Sequence, residues 1–339
     1  MYSDAIPTGL LAYGMSGRVF HAPFVALHPG FELKAVVERH EKKAAADYPG
    51  INSYNSTEEL LADPSIELII VNTPPHTHFD LAKKALEAGK HVLVEKPIAT
   101  NSEEVMELYD LARKMDKHLM VYQNRRWDSD FVSMKKVIES GRLGELIEVH
   151  FRFDRYKTSL SPKKFKETKG LPGNGLVYDL GPHLLDQAIS LFGRPLSFKK
   201  TSGIYRENSE VPDYFHFHLK YPHQLNVYLT SGLLIAEPTP SFVAHGTLGS
   251  YLKNRVDVQE AQLDNGMPPG ADGYGVEPAG EEGILVTMSV DNQKTTERVP
   301  AEKGEYIKLF EAVYQAIRNH ALYPITEEHI AWQMEMLEG

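Results

Sequence analysis

The chain has 339 residues, of which 42% are apolar and 24% charged, with a formal net charge of −10 and no cysteine. Its length suggests two domains at the usual roughly 100–200 residues each, and no apolar run reaches the ~18 residues that a membrane-spanning helix needs. Without cysteine, disulfides, thiol nucleophiles and thiolate-bound zinc are excluded, and the acidic balance argues against a nucleic-acid partner. The N-terminus shows no basic stretch followed by an apolar core, so the expectation is a cytoplasmic protein without a signal peptide. The short basic clusters at Lys42–Lys43 and in "PKKFK" (162–166) read as solvated faces.

Residues 1–123 alternate apolar runs with helical stretches. The runs are "TGLLA", "FELKAVV", "ELIIVNT", "HVLVE" and "HLMVY", with a weaker sixth at "INSY". "STEELLADP", "HTHFDLAKKALEAG" and "NSEEVMELYDLARKMD" lie between them. The last carries Ser102 ahead of its acidic first turn as a start signal. Continuous apolar strands separated by helices predict a doubly wound parallel sheet, covered on both faces.

"GLLAYGMSGRVF" follows the first strand and reads A-x-G-x-x-G, with Ala12, Gly14 and Gly17 in the positions of the dinucleotide fingerprint. In that motif the first glycine allows the tight turn, the second lets phosphate approach, and the third lets helix and sheet pack closely. Alanine serves in the first position wherever φ stays negative. Glu38, at the end of the second strand, suits the adenosine ribose hydroxyls. Arg39 suits a ribose 2′-phosphate, with His40, Lys42 and Lys43 adding positive charge. NAD and NADP both remain open, and the weight of charge favours NADP.

Beyond Tyr122 the pattern changes. A helix around Asp128–Ser140 precedes strands at "GELIEVHFRFDRY", "SFKKTSGIY", "DYFHFHLKY", "LNVYLTSGLL", "SFVAHG" and "ILVTMSV". Strand after strand without helices predicts an α+β domain, 124–339, with a large open and mostly antiparallel sheet. Gln262–Gly283 reads as a long Gly/Pro-rich loop, and helices close the chain near Glu305–Asn319 and Glu327–Leu337. The open sheet face predicts self-association as a homodimer or higher homo-oligomer.

"GMSGRVFHAPF", "NTPPHTH", "ALEAGKHV", "VLVEKPIAT", "YQNRRWDSDF" and "VYDLGPHLLDQA" together resemble the Gfo/Idh/MocA oxidoreductases. The resemblance covers roughly Pro7 to Ile330, and "VVER", "VYQNRRWD" and "HGTLGSY" are most similar to the NADP-dependent scyllo-inositol 2-dehydrogenase branch. It implies a Rossmann-type cofactor domain and hydride transfer between NADP or NAD and a secondary alcohol of a cyclic polyol or sugar. The active site would lie in a cleft between the two domains.

The resemblance assigns Gly14, Met15, Ser16, Glu38, Arg39, Thr73, Pro74, His78 and Glu95 to the cofactor. It places Gln123, Asn124 and Trp127 near the nicotinamide end. Lys96, Asp179 and His183 become the catalytic and substrate-facing set. Physical reasoning suits these roles. Lys96 follows a strand that ends at the cofactor crevice, and its ammonium would stabilise charge on the alcohol oxygen. Pro182 suits the first position of a helix, which would put His183 just inside a helix start, kept neutral to accept a proton, with Asp179 fixing its tautomer. Asp154 and Tyr156 are candidates for the sugar pocket. His76 and His78 form an H-x-H pair that reads as a helix opening, and no metal is implied. A non-catalytic sugar- and dinucleotide-sensing regulator, or a carbonyl or imine reductase, are the alternatives.

Overall fold

A computed structural model describes residues 2, 4–162, 167–170 and 172–339 of the protein. Residues 163–166 of the "PKKFK" cluster lie outside the described residues. Two compact units emerge. The first takes 1–124, 261–274 and 306–331, and the second takes 125–260, 275–305 and 332–339. The sequence reading placed everything after 123 in one continuous domain, whereas the chain returns twice to the first unit. Those returning segments carry their own apolar anchors: Phe310 stacks on Phe24 at 5.5 Å, and Tyr274 and Tyr306 meet the same ring edge-on or tilted. Buried aromatic surface decides the membership of these segments, and nothing in their local pattern announces it.

The first unit holds a six-stranded parallel sheet in the order β3-β2-β1-β4-β5-β6. The strands are β1 (Ile6–Leu10), β2 (Phe31–Val37), β3 (Asn52–Tyr54), β4 (Leu68–Val71), β5 (His91–Glu95) and β6 (Leu119–Tyr122). All four residues of β4 are buried, as a strand covered on both faces requires. Helices α1 (Ala22–Leu27), α2 (Ala44–Asp47), α3 (Thr57–Leu61), α4 (His78–Glu87) and α5 (Ser102–Met115) connect them. A π-helical turn, Gly17–His21, leads into α1. The cap of α5 is Asn101, whose side chain accepts the Glu104 N–H at 2.9 Å. Ser102 stands one residue too late for the start role expected of it.

The second unit is built on an eight-stranded sheet in the order β14-β13-β12-β11-β7-β10-β9-β8. Its pairs are antiparallel except β7 with β10. The expected strands appear as β7 (Leu146–Arg152), β8 (Ser197–Gly203), β9 (Tyr214–Lys220), β10 (Asn226–Gly232), β11 (Phe242–Gly246) and β13 (Gly283–Met288). Two more, β12 (Gly249–Lys253) and β14 (Lys294–Val299), complete it, the latter too polar to read as a strand. Helices α6 (Ser129–Glu139) and α7 (Leu176–Phe192) belong to the same unit. The stretch expected as a loop begins inside α8 (Val258–Asp264), and the chain ends in α9 (Ile307–Asn319) and α10 (Glu327–Glu338).

One face of this sheet is buried by Val149, Phe151, Phe217 and Val227. Its other face carries a cross-strand row in register: Ile284, Leu252, Val243, His150, Tyr228, His218 and Lys199. Tyr228 is stacked between His150 (4.9 Å) and His218 (4.7 Å). Among the described residues, no helix is long and apolar enough to cross a membrane.

Candidate functional site

The turn after β1 shows how Ala12 stands in the first position of the fingerprint. Ala12 does not take a positive φ, and neither do Gly14 and Gly17. Conformational freedom is therefore not what the glycines supply. A Cβ on Gly17 would lie 2.3 Å from the Ala12 carbonyl oxygen, so this position must be bare for the helix to close on the strand. A Cβ on Gly14 would meet nothing within 4 Å. The fold makes no demand at Gly14. A bare backbone beside open space suits a phosphate lying against it.

That open space belongs to a groove of about 580 Å³ at the carboxyl ends of β1, β2 and β4, lined by Ala12, Gly14, Glu38, Arg39, Thr73 and Pro74 among others. Ligands of open α/β sheets bind at such strand ends. Met15 is 62% exposed. Ser16 Oγ and His21 Nε2 both reach Glu95 Oε1, at 3.0 and 2.8 Å. Burial works against the charge on Glu95. The hydrogen bond with His21 and the nearby positive charge of Lys96 outweigh it and hold the carboxyl below its usual range. His21 gives no signal of its own in the sequence, because it lies in the π-turn where helical spacing fails.

Two cofactor assignments change. Glu38 was expected to face the ribose hydroxyls. Its Oε1 instead accepts the N–H groups of Lys43 (2.7 Å) and Ala44 (3.2 Å), and its Oε2 accepts from Ser53 Oγ at 2.7 Å. The carboxylate is buried and spent on its own loop. Lys42 is likewise spent, donating to the carbonyls of Glu38, Ser53 and Tyr54, while exposed Lys43 pairs with Glu41 at 2.6 Å. Arg39 stays exposed at the groove. His78 was also expected at the cofactor. It is 1% exposed, with both ring nitrogens 2.7 Å from backbone carbonyls, those of Pro97 and Thr73. It braces the segment after β5, directly beyond Lys96, against the end of β4. Its partner in the H-x-H pair, His76, lies in the short 3₁₀ turn Pro75–Thr77, and no metal-holding cluster of three or more His, Asp or Glu occurs among the described residues. Thr73 Oγ1 bonds Thr77 Oγ1 at 2.7 Å.

At the end of β6, Gln123 and Asn124 are buried, and Asn124–Trp127 form a 3₁₀ turn. Within the second unit, the rest of this turn is fixed from several sides. The Trp127 carbonyl accepts from Gln259 Nε2 (2.9 Å) and the Glu305 N–H (3.0 Å). Arg125 pairs with Asp128, Asp257 and Glu260, and Arg126 makes a two-point pair with Asp186 at 2.7 and 2.9 Å.

Asp186 lies on α7, the helix that also carries Asp179 and His183. The sequence predicts a helix start at Pro182, and the structure differs. The helix begins at Leu176, so Pro182 is interior and His183 stands two turns from the start, beyond the reach of the N-terminal dipole. Asp179 is in the first turn and exposed, and His183 is 7% exposed. Four residues apart, they share one helix face. A proline inside a helix removes a hydrogen bond and crowds the preceding turn, so it ordinarily marks a start. This helix tolerates it because almost every residue from Leu180 to Ile189 is buried, and because Asp186 and Gln187 anchor it. Gln187 Nε2 donates to the Arg125 carbonyl at 3.1 Å, and Gln333 Nε2 to Asp186 at 3.1 Å.

Asp154 is not a pocket residue. Its side chain is 1% exposed, accepts from Arg152 Nε at 2.6 Å and caps the Gly232 N–H at 3.1 Å. Tyr156 is 64% exposed and forms an isolated bridge with Leu234.

Residues 8–123 match an oxidoreductase family with an NAD-binding Rossmann fold, and residues 131–252 match the C-terminal domain of the same family. The chain belongs to the Gfo/Idh/MocA family. It is 38% identical to the Escherichia coli oxidoreductase YdgJ, over 99% of this chain and 95% of that one. It is 34% identical to the Bacillus subtilis scyllo-inositol 2-dehydrogenase (NADP(+)) IolW, over 96% and 90%. Among solved structures, a putative oxidoreductase of Bacteroides fragilis aligns with a TM-score of 0.90 at 39% identity, covering 99% of this chain and 96% of that one. The expected fold is observed: a Rossmann sheet and a larger, mostly antiparallel one. As a Gfo/Idh/MocA protein the chain is an oxidoreductase with an NAD-binding Rossmann fold.

Proposed function

We propose that the protein is an NADP-preferring dehydrogenase that reversibly oxidises a secondary alcohol of a cyclic polyol or sugar of the inositol class. The observation that carries this reading is the retained set of Lys96 after β5 and Asp179 and His183 one turn apart on α7. A sensor that never turns substrate over has no use for it. IolW, which has 34% identity, supports the substrate class.

The bound dinucleotide supplies the hydride acceptor. In the oxidative direction His183 accepts the hydroxyl proton, and Asp179 on the same helix face orients the ring and balances its charge afterwards. Lys96 donates a hydrogen bond to the same oxygen and stabilises the negative charge that develops there. His78 and Pro97 fix the backbone immediately after Lys96. Preference for NADP is supported by Glu38, whose carboxylate is turned into its own loop, leaving the guanidinium of Arg39 to meet a 2′-phosphate. Cytoplasmic location and pairing of two copies through the open sheet face belong to the same reading.

A panel of inositols, sugars and their ketones, followed at the NAD(P)H absorbance, tests it. Turnover of a cyclic polyol with NADP is expected. No turnover with any member, despite cofactor binding, would favour the sensor. For the cofactor, Arg39→Ala should raise KM for NADP roughly tenfold or more and leave that for NAD nearly unchanged, the worth of one charge-assisted contact. Equal weakening of both would remove Arg39 from the specificity argument.

A further inference from the structure

We infer that Asn72 is a positioning residue for the dinucleotide, shaping the turn after β1 by side-chain hydrogen bonding where the usual fingerprint relies on its first glycine. The inference rests on the reading of that turn as the pyrophosphate site.

The last ladder bond between β1 and β4 runs from the Leu11 N–H to the Ile70 carbonyl, at 3.0 Å. One residue further on, the ladder continues through a side chain. Asn72 Oδ1 accepts the Ala12 N–H at 3.0 Å, and Asn72 Nδ2 donates to the Ala12 carbonyl at 2.8 Å. One planar amide thus holds both backbone groups of one residue. Asn72 is 6% exposed, so water does not compete strongly for either bond.

This grip explains the neighbours. It holds Ala12 away from a positive φ, in a conformation that alanine adopts without strain, so the first position need not be glycine. It also aims the Ala12 carbonyl at Gly17, where an added Cβ would stand 2.3 Å from that oxygen and 3.0 Å from Asn72 Nδ2. Ala12, Asn72 and Gly17 are therefore one packed knot. Gly14 lies inside the loop that the knot closes, its carbonyl accepting the Arg18 N–H at 3.0 Å. The backbone facing the groove at Gly14 and beyond is in this way oriented from β4.

The side chain must be short, planar, and both donor and acceptor. Aspartate would set a carboxylate against the Ala12 carbonyl and beside the bound phosphates. Serine could make one bond of the two. Asparagine alone among the small side chains meets all three demands.

The experiment titrates the full chain with NADPH by fluorescence, comparing wild type with Asn72→Ala, Asn72→Ser and Asn72→Asp. In parallel, adenosine 2′-monophosphate, which lacks the pyrophosphate, is titrated by calorimetry. Loss of both bonds in Asn72→Ala should weaken NADPH roughly ten- to a hundredfold, with Asn72→Ser between it and wild type and Asn72→Asp at least as weak as Asn72→Ala. Binding of adenosine 2′-monophosphate should change by less than about twofold. Wild-type NADPH affinity in Asn72→Ala would overturn the inference. Equal loss of both ligands would also overturn it, because that pattern belongs to general unfolding. Should Asn72→Ala fail to fold, the comparison of Asn72→Ser with wild type decides by the same two ligands. A wild type that binds neither NADPH nor NADH would sink the pyrophosphate reading itself, and is distinguished by the failure appearing before any substitution.

Discussion

The turn after β1 and the first turns of α7 are the two short stretches, one in each unit, to which the proposed function assigns cofactor and substrate chemistry, and their sequences spoke with unequal clarity. At the turn the causes are local: a Cβ on Gly17 would strike a carbonyl five residues away, as its place in the motif suggests, while one on Gly14 would meet only open space at the groove. On α7, Pro182 suggested a helix start, yet the helix had begun six residues earlier. Its tolerance depends on Asp186 and Gln187 gripping Arg126 and Arg125, sixty or more residues distant in sequence. Short-range sterics is legible; long-range anchoring is not.

If α7 is held by that anchoring, breaking it should have the largest effect on the molecule. Asp186→Asn takes the carboxylate of this two-point pair away from Arg126, whose side chain is 10% exposed, and removal of one partner of a buried pair costs about 3–5 kcal/mol. Denaturant unfolding should show this loss, and the double substitution Arg126→Met/Asp186→Leu should recover most of it. A loss below about 1 kcal/mol, as for exposed pairs, would mean that α7 is held by apolar packing alone.

Lys96→Met tests the chemistry assigned to the first unit. It should retain cofactor affinity and lose on the order of 10²-fold in kcat, the usual worth of one group that stabilises developing charge. Near-normal kcat would strip Lys96 of its catalytic role.

The two glycines themselves can be set against each other. Gly17→Ala should destabilise by roughly 1–3 kcal/mol, since a backbone carbonyl stands where the methyl must go. Gly14→Ala should leave stability unchanged or raise it slightly, yet weaken the cofactor. Should Gly14→Ala bind NADPH as wild type does, the open space beside Gly14 is not where phosphate lies.

The same division between local and distant causes runs through the rest of the reading. Five of the six parallel strands were visible because apolar runs between turn signals need no context, whereas β3, with the sequence NSY, gave only a weak signal. β14 was not, since its residues are almost all exposed and it is a strand only because β13 pairs with it. Glu38 was found at the right strand end, but its direction was decided by the Lys43 and Ala44 amides and Ser53. Asp154 was found beside the right strand and then claimed by Arg152. Residue type and strand position could be read; which neighbour would satisfy a carboxylate could not.

The last expected effect appears only as pH is changed; it concerns a histidine that neither stretch includes and asks whether the first unit is held by neutral imidazoles. Burial, then the charges of Lys117, His118 and Arg318, lower the pKa of His91 to about 4, with Asp116 opposing. Its Nδ1 accepts the His118 N–H at 3.0 Å, a bond that only the unprotonated nitrogen can make. An unfolded chain would take up this proton near the ordinary imidazole value of about 6.5. Stability is thus present in full above that value, falls as pH drops, and has lost the whole contribution below about 4, because the unfolded state binds the proton first. His118 and His216 are lowered by burial as well and act with the same sign. His91→Asn keeps an acceptor for His118 and removes the proton. Between about pH 7 and pH 4 its unfolding free energy should fall less steeply than that of the wild type, by up to one proton's worth of slope. Parallel curves for the two proteins would show that His91 is free to charge in the folded state.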